Sequence, residues 1–273
     1  ILVRQIATAV DRTIVAPAGA GYLGLTFSQD GSYVYYVSAT KDMPSPALYR
    51  VSALGGDSTK LIDDVRSLVT QSPDGKRLAF VRSDESHQES ALIIANSDGS
   101  NQRKTATSKF SELMIHNNLA WSPDGKVIVV GVDNPNRRDQ DPCEVAVVSA
   151  AGGSFKEITS QRWSDVTGHI TWLADSSGFL ITAAHRSTGW LYQIWLVSYP
   201  GGKARKITND LNNYHGTNLS RDSGVLLTIQ SDRLSSIWVA HGADLDRAKP
   251  VTNGKYDGQG GIAWASSGKI VYV

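Results

Sequence analysis

One cysteine, Cys143, stands alone in 273 residues, so no internal disulfide and no cluster of thiolate metal ligands can form within the chain. An excess of charge of either sign is also missing. Basic side chains number 27 and acidic ones 26, which removes the electrostatic basis for a dedicated nucleic-acid binder or a binder of anionic membranes. Charged residues make up only 19% and hydrophobic ones 41%, enough for a core and too little charge for a disordered chain. No apolar run approaches the ~20 residues that cross a bilayer, so no direct membrane contact is expected from these residues.

Motifs for several chemistries are missing too. There is no G-x-S-x-G nucleophile elbow and no Asp-Phe-Gly, and His185-Arg186 is followed by Ser187 where a kinase catalytic loop needs Asp. Gly19-Ala20-Gly21-Tyr22-Leu23-Gly24 matches a phosphate-cradling pattern, but that pattern works between a strand and a helix, and here a strand-like run, Leu25-Thr26-Phe27, follows. The chain is expected to be non-catalytic and to carry no cofactor.

What is present is a repeat. Ser72-Pro73-Asp74-Gly75-Lys76 and Ser122-Pro123-Asp124-Gly125-Lys126 are its clearest copies, with looser ones at Ser28 to Gly31, Asp175 to Gly178, Arg221 to Gly224 and Ser266 to Lys269. Their glycines lie 44, 50, 53, 46 and 44 residues apart. Pro presets the first central turn position, Asp bonds the backbone two residues on, and Gly accepts positive φ, so each copy is a tight turn between antiparallel strands. The flanking runs, such as Leu119-Ala120-Trp121 and Val127-Ile128-Val129-Val130, are short and rich in β-branched and aromatic residues.

The second half of each period repeats an apolar strand, a Gly-containing turn and a short strand, as in Val145 to Val148 before Gly152-Gly153. Two hairpins per period make a four-stranded blade, and the period predicts an all-β, six-bladed β-propeller. The expected domain is one, 1–273, with blades at about 22–66, 67–113, 114–163, 164–212, 213–255 and 256–273. Residues 1–16 are expected to supply two strands that close the last blade, since closure removes exposed sheet edges. The chain also reads as a segment of a longer protein.

In such blades the stereotyped turns share one face, and the longer, dissimilar connections share the other. Binding residues concentrate on variable loops held by a rigid scaffold, which makes the second face the candidate surface for a protein, peptide or cell-envelope ligand. Its loops carry Arg137, Arg138, Arg186 and Trp190. The residues leading into the innermost strands should line a central channel, and they include Tyr22, Arg66, His116, Asn118, His169, Tyr214, His215 and Gln259. The three histidines among them are candidate metal ligands, weighed against ordinary polar lining.

With these cassettes placed, the sequence resembles the TolB-like branch of WD-repeat-like propellers, through the Trp-Ser-Pro-Asp-Gly-Lys pattern at Trp121 to Lys126. Longer stretches, among them Glu89 to Asn96, Gln193 to Pro200 and Gln230 to Ala240, resemble the propeller region of acidobacterial-type receptor serine/threonine kinases. That resemblance implies an extracytoplasmic sensor joined to a kinase domain through a membrane helix. The remaining alternatives are the substrate-gating propeller of a prolyl-oligopeptidase-like peptidase and a TolB-like periplasmic scaffold.

Overall fold

A computed structural model describes residues 1–17, 19–41, 45–137, 142–159, 161–188, 191–232, 234–242, 245–254 and 257–273. The chain divides into two compact units, Ile1–Ile229 and Gln230–Val273. In the first unit, four antiparallel sheets of four strands follow one another in sequence order. They are β3 (Gly21–Phe27), β4 (Tyr33–Ala39), β5 (Ala47–Ser52) and β6 (Thr59–Asp63); β7 (Thr70–Gln71), β8 (Arg77–Asp84), β9 (Glu89–Asn96) and β10 (Arg103–Lys109). The third and fourth are β11 (Met114–Trp121), β12 (Val127–Asp133), β13 (Cys143–Ser149) and β14 (Lys156–Glu157); β15 (Asp165–Trp172), β16 (Gly178–Ala184), β17 (Gln193–Ser198) and β18 (Ala204–Lys206).

The core lies between blades. Leu48, Ile62 and Tyr35 of the first blade pack on Leu78, Phe80 and Ile93 of the second, and equivalent layers join the second to the third and the third to the fourth. A strand covered on both sides has no solvent face, so it is written as a continuous apolar run instead of an alternating one. β16 is buried at every position. Each large side chain so covered contributes about 1.5–3 kcal/mol of transfer free energy.

The turns have the expected chemistry. Ser122 Oγ donates to Asp124 at 2.6 Å and accepts from the Val127 amide at 3.1 Å, and Ser72 does the same with Asp74 and Arg77. The residue before the serine caps the turn: Trp121 Nε1 donates to the Gly125 carbonyl, and Gln71 Nε2 to that of Gly75. Two cassettes are shifted from the sequence assignment. In the fourth and fifth the positive-φ residue is Ser176 (φ 59) or Ser223 (φ 58), so Gly178 belongs to β16 and Gly224 follows the turn.

The six-blade count is corrected to four complete blades. A fifth repeat supplies only an inner hairpin, β19 (Asn213–Leu219) with β20 (Leu226–Ser231). Its β19 packs beside β15, where Thr171 Oγ1 donates to the Thr217 carbonyl at 2.5 Å. The closing arrangement is corrected as well. The strands β1 (Leu2–Gln5) and β2 (Val10–Thr13) form a two-stranded sheet of their own, whose flanking Ile1, Ile14 and Val15 pack with Val3 on Val34, Tyr36 and Val51 of the first blade. The second unit holds two short hairpins, β21 (Trp238–Val239) with β22 (Lys249–Pro250) and β23 (Ile262–Trp264) with β24 (Ile270–Tyr272). Its fifth-repeat segment lacks the double glycine that turns the outer hairpin in the earlier repeats, and its strands reach only two or three residues.

Candidate functional site

Five inner strands converge on an axis. Thr26, Thr70, Ala120, Thr171 and Asn218, one from each of β3, β7, β11, β15 and β19, line a cavity of about 210 Å³ together with Gln29, Gln71 and His169. The ring is cross-linked: the Trp121 amide donates to Thr70 Oγ1, and Trp172 Nε1 donates to the Ala120 carbonyl. It is also narrow. Arg221, in the turn after β19, reaches the Gln29 carbonyl of the first blade at 2.8 Å.

The inner strands are interrupted where the channel residues sit. β11 loses its register between Ile115 and Leu119, and β15 between Thr167 and Thr171. Bulges of this kind re-aim side chains, and His116, Asn118 and His169 fall inside them. They do not converge. His169 enters the channel, where burial pulls its pKa below the ordinary histidine value. His116 points to Asp133, with Nε2 2.9 Å from Oδ2. His215 tilts against the Tyr192 ring, centroids 5.6 Å apart.

Asn118 is fully buried; its Nδ2 donates to the Val166 carbonyl, and among the described residues its Oδ1 has no hydrogen-bond partner. Tyr214 is buried against Leu180 and Ile194 and donates to Asp210 at 2.7 Å. Tyr22 makes an edge contact with Tyr36, and Gln259 is exposed in the second unit. On the loops, Arg186 is exposed in the short 3-10 helix Arg186–Thr188. Arg137 ends the 3-10 helix Pro135–Arg137, while its side chain, Arg138 and Trp190 lie outside the described residues.

The sequence reading left unassembled a second cavity, of about 390 Å³, on the loop face between the first two blades. Its walls are Asp64 and Arg66 after β6, Arg82 and Asp84 at the end of β8, Glu89 on β9 and Lys104 on β10. Arg82 is held: its guanidinium donates to the Asp63 and Asp64 carbonyls and to Gln102. Arg66 is not. Its Nε donates to Asp64 Oδ1 at 2.9 Å, and among the described residues its terminal nitrogens have no partner. Donated hydrogen bonds keep the acids ionised: Ser86 and His87 lower the pKa of Asp84, and Lys104 and Lys109 lower that of Glu89. The sequence marked Arg66, as a channel entry, and the loop from Asp84 to Glu89, as part of the loop face, but not Asp64, Arg82 or Lys104, nor that these residues meet, because they come from different strands.

No family model matches the sequence, and no curated protein matches it. Solved structures do match. The fold is similar to a TolB-type structure from Agrobacterium tumefaciens, with a TM-score of 0.61 at 20% identity over 92% of this chain and 87% of that one. It is similar to TolB from Acinetobacter baumannii, with a TM-score of 0.61 at 15% identity over 84% of this chain, which spans 59% of that protein. A puromycin-hydrolysing peptidase of Mycobacterium tuberculosis matches with a TM-score of 0.55 at 13% identity, over 90% of this chain and 40% of that one. Likenesses at these identities carry the fold alone, and with the blades above they make this chain an all-β propeller.

Proposed function

We propose that the chain is a non-catalytic binding propeller, a TolB-like scaffold outside the cytoplasm, that takes a carboxylate-bearing peptide or protein segment in the loop-face cavity between its first two blades. The observation that carries this is Arg66, positioned by Asp64 and left with an unused planar fork over a formed cavity. Such a fork pairs two oxygens of a carboxylate at once. Lys104 stands across the cavity with its charge shared with Glu89 at 3.0 Å. Asp64, Asp84, Glu85 and Glu89 line the same cavity, so the preference for an acidic side chain or a chain terminus rests on the open fork of Arg66.

The test is selection from a displayed peptide library against the purified chain, followed by affinity measurement on R66E and on R221E, which lies outside the cavity. The reading expects acidic or C-terminal sequences to be enriched, with affinity falling at least about tenfold in R66E and little in R221E. Enrichment of nothing, or of peptides indifferent to R66E, rejects it.

A sensory role beside a kinase domain is the second reading, favoured by the segments at Glu89 to Asn96 and Gln230 to Ala240. A peptidase-associated propeller is the third, favoured by the cavity that the inner strands line. The parent gene separates them: kinase motifs and a membrane helix upstream support the second, and a G-x-S-x-G domain supports the third.

A further inference from the structure

We propose that His116, Asp133, Cys143 and Asp165 form a binding site for a divalent transition-metal ion of the zinc class, set between the third and fourth blades at their loop-face ends. The four residues come from four strands, β11, β12, β13 and β15. One ligand atom from each of His116, Cys143 and Asp165 lies within 4.8 Å of the other two. The carboxylate of Asp133 ties two of them together, with Oδ1 2.7 Å from Cys143 Sγ and Oδ2 2.9 Å from His116 Nε2.

A buried thiol normally fills space among apolar neighbours. Cys143 does have such neighbours, Trp163, Val166 and Val145, yet its sulfur is directed to a carboxylate and its S–H donates there. Imidazole nitrogen, sulfur and two carboxylate oxygens are a four-coordinate donor set that selects Zn²⁺ or Co²⁺ over Mg²⁺ or Ca²⁺. Ligand atoms around tetrahedral zinc sit about 3.3–3.8 Å apart, given bonds of about 2.0–2.3 Å. From the observed separations the atoms of His116, Cys143 and Asp165 close by up to about 1 Å, while the Asp133 oxygens draw back by roughly 0.5 Å from the sulfur and the imidazole.

The surroundings hold the ligands in place. Tyr192 donates its hydroxyl to Asp165 Oδ2 at 2.6 Å, as outer-sphere partners of metal ligands do. Asn118 fixes the backbone beside Asp165 through the Val166 carbonyl. On binding, Cys143 gives up its thiol proton to solvent and a metal–sulfur bond forms. His116 binds through Nε2 with a proton kept on Nδ1, so the proton that its Nε2 presents to Asp133 in the metal-free chain leaves Nε2 as the metal–nitrogen bond forms. The ion would then link blade three to blade four.

Cobalt(II) titration of the full chain after chelator treatment tests the site. Saturable uptake of about one ion per chain is expected, with a sulfur-to-cobalt charge-transfer band, the intense visible bands of four-coordinate cobalt, and displacement by Zn²⁺. C143S should remove the charge-transfer band, and H116Q and D165N, which remove ligands, should weaken binding by more than the roughly 10- to 100-fold that loss of an outer-sphere partner costs. Zn²⁺ should raise the thermal midpoint of the wild type and not that of H116Q. Near-ultraviolet circular dichroism checks that each variant is folded; should C143S not fold, H116Q carries the comparison alone. No saturable uptake by the folded wild type, or uptake without the sulfur band and insensitive to H116Q, overturns the proposal.

Discussion

Gly202 shows how one missing side chain lets two blades meet. It turns the outer hairpin of the fourth blade at φ 66, and a Cβ placed there would run into the Ile158 carbonyl of the third. Backbone cannot move aside as a flexible side chain can. Gly202→Ala is therefore expected to cost about 3 kcal/mol or more, measured as a shift of the urea midpoint. Gly153→Ala, at φ 131 with no atom within 4 Å of the added Cβ, should cost about 1–2 kcal/mol, from conformation alone. Cys143 makes a second prediction at this scale. Burial, and then the Asp133 carboxylate, push its thiol pKa far above the ordinary value, so the thiolate that reacts is absent at neutral pH. A thiol reagent at pH 8 should modify the native chain at least about a hundredfold more slowly than the unfolded one.

The inner hairpin is the element in which sequence and structure can be compared turn by turn. The first three copies were legible because a Ser Oγ that donates to Asp and accepts from the residue five on needs that spacing of residue types, and Gly31, Gly75 and Gly125 fill the positive-φ corner. In the fourth and fifth copies a glycine nearby drew the assignment away from Ser176 and Ser223. Nothing in the sequence marks a serine that is held left-handed by the strands on either side. The strain is local, so its relief is testable: Ser176→Gly and Ser223→Gly should each raise stability by about 0.5–1 kcal/mol. For Ser223, whose Oγ accepts from the Ala174 amide at 2.9 Å, the gain should be the smaller. Equal losses in both would show that neither turn is strained. The bulges in β11 and β15 were not legible, since the sequence places His116 and His169 ahead of the inner strands, whereas the strands run through both and break their register there.

At the scale of the whole chain, the cassette period announced a propeller but overstated its blades. A period counts inner turns, whereas a blade also needs two outer strands long enough to pair, and among the described residues the unit after Ile229 offers only the short β21 to β24. Of the strand-leading residues expected in the channel, His169 lines it and Arg66 stands in the cavity between the first two blades; that cavity and the cluster at Cys143 were not legible as groups, because both join residues brought together only by neighbouring blades. The same assembly sets the pH response. Asp30, Asp74, Asp124 and Asp222 accept hydrogen bonds in their turns, the largest from the preceding serine, and each has its pKa lowered by folding. A carboxyl with a depressed native pKa binds fewer protons folded than unfolded. Its contribution is therefore complete above the unfolded value, near 3.8, and is lost as pH falls through the folded one. His169 is depressed as well, by burial, and the same sign applies to a base kept neutral. Its contribution is complete above the unfolded value of 6.5 and declines as pH falls from there toward the folded value. Urea midpoints measured from pH 8 to pH 3 should thus fall in two stages. H169Q should remove the His169 contribution to the stage below pH 6.5 and leave the acid stage in place, and D74N/D124N should flatten the acid stage alone. An H169Q profile that matches the wild type throughout would show that the channel imidazole is solvated in the folded chain.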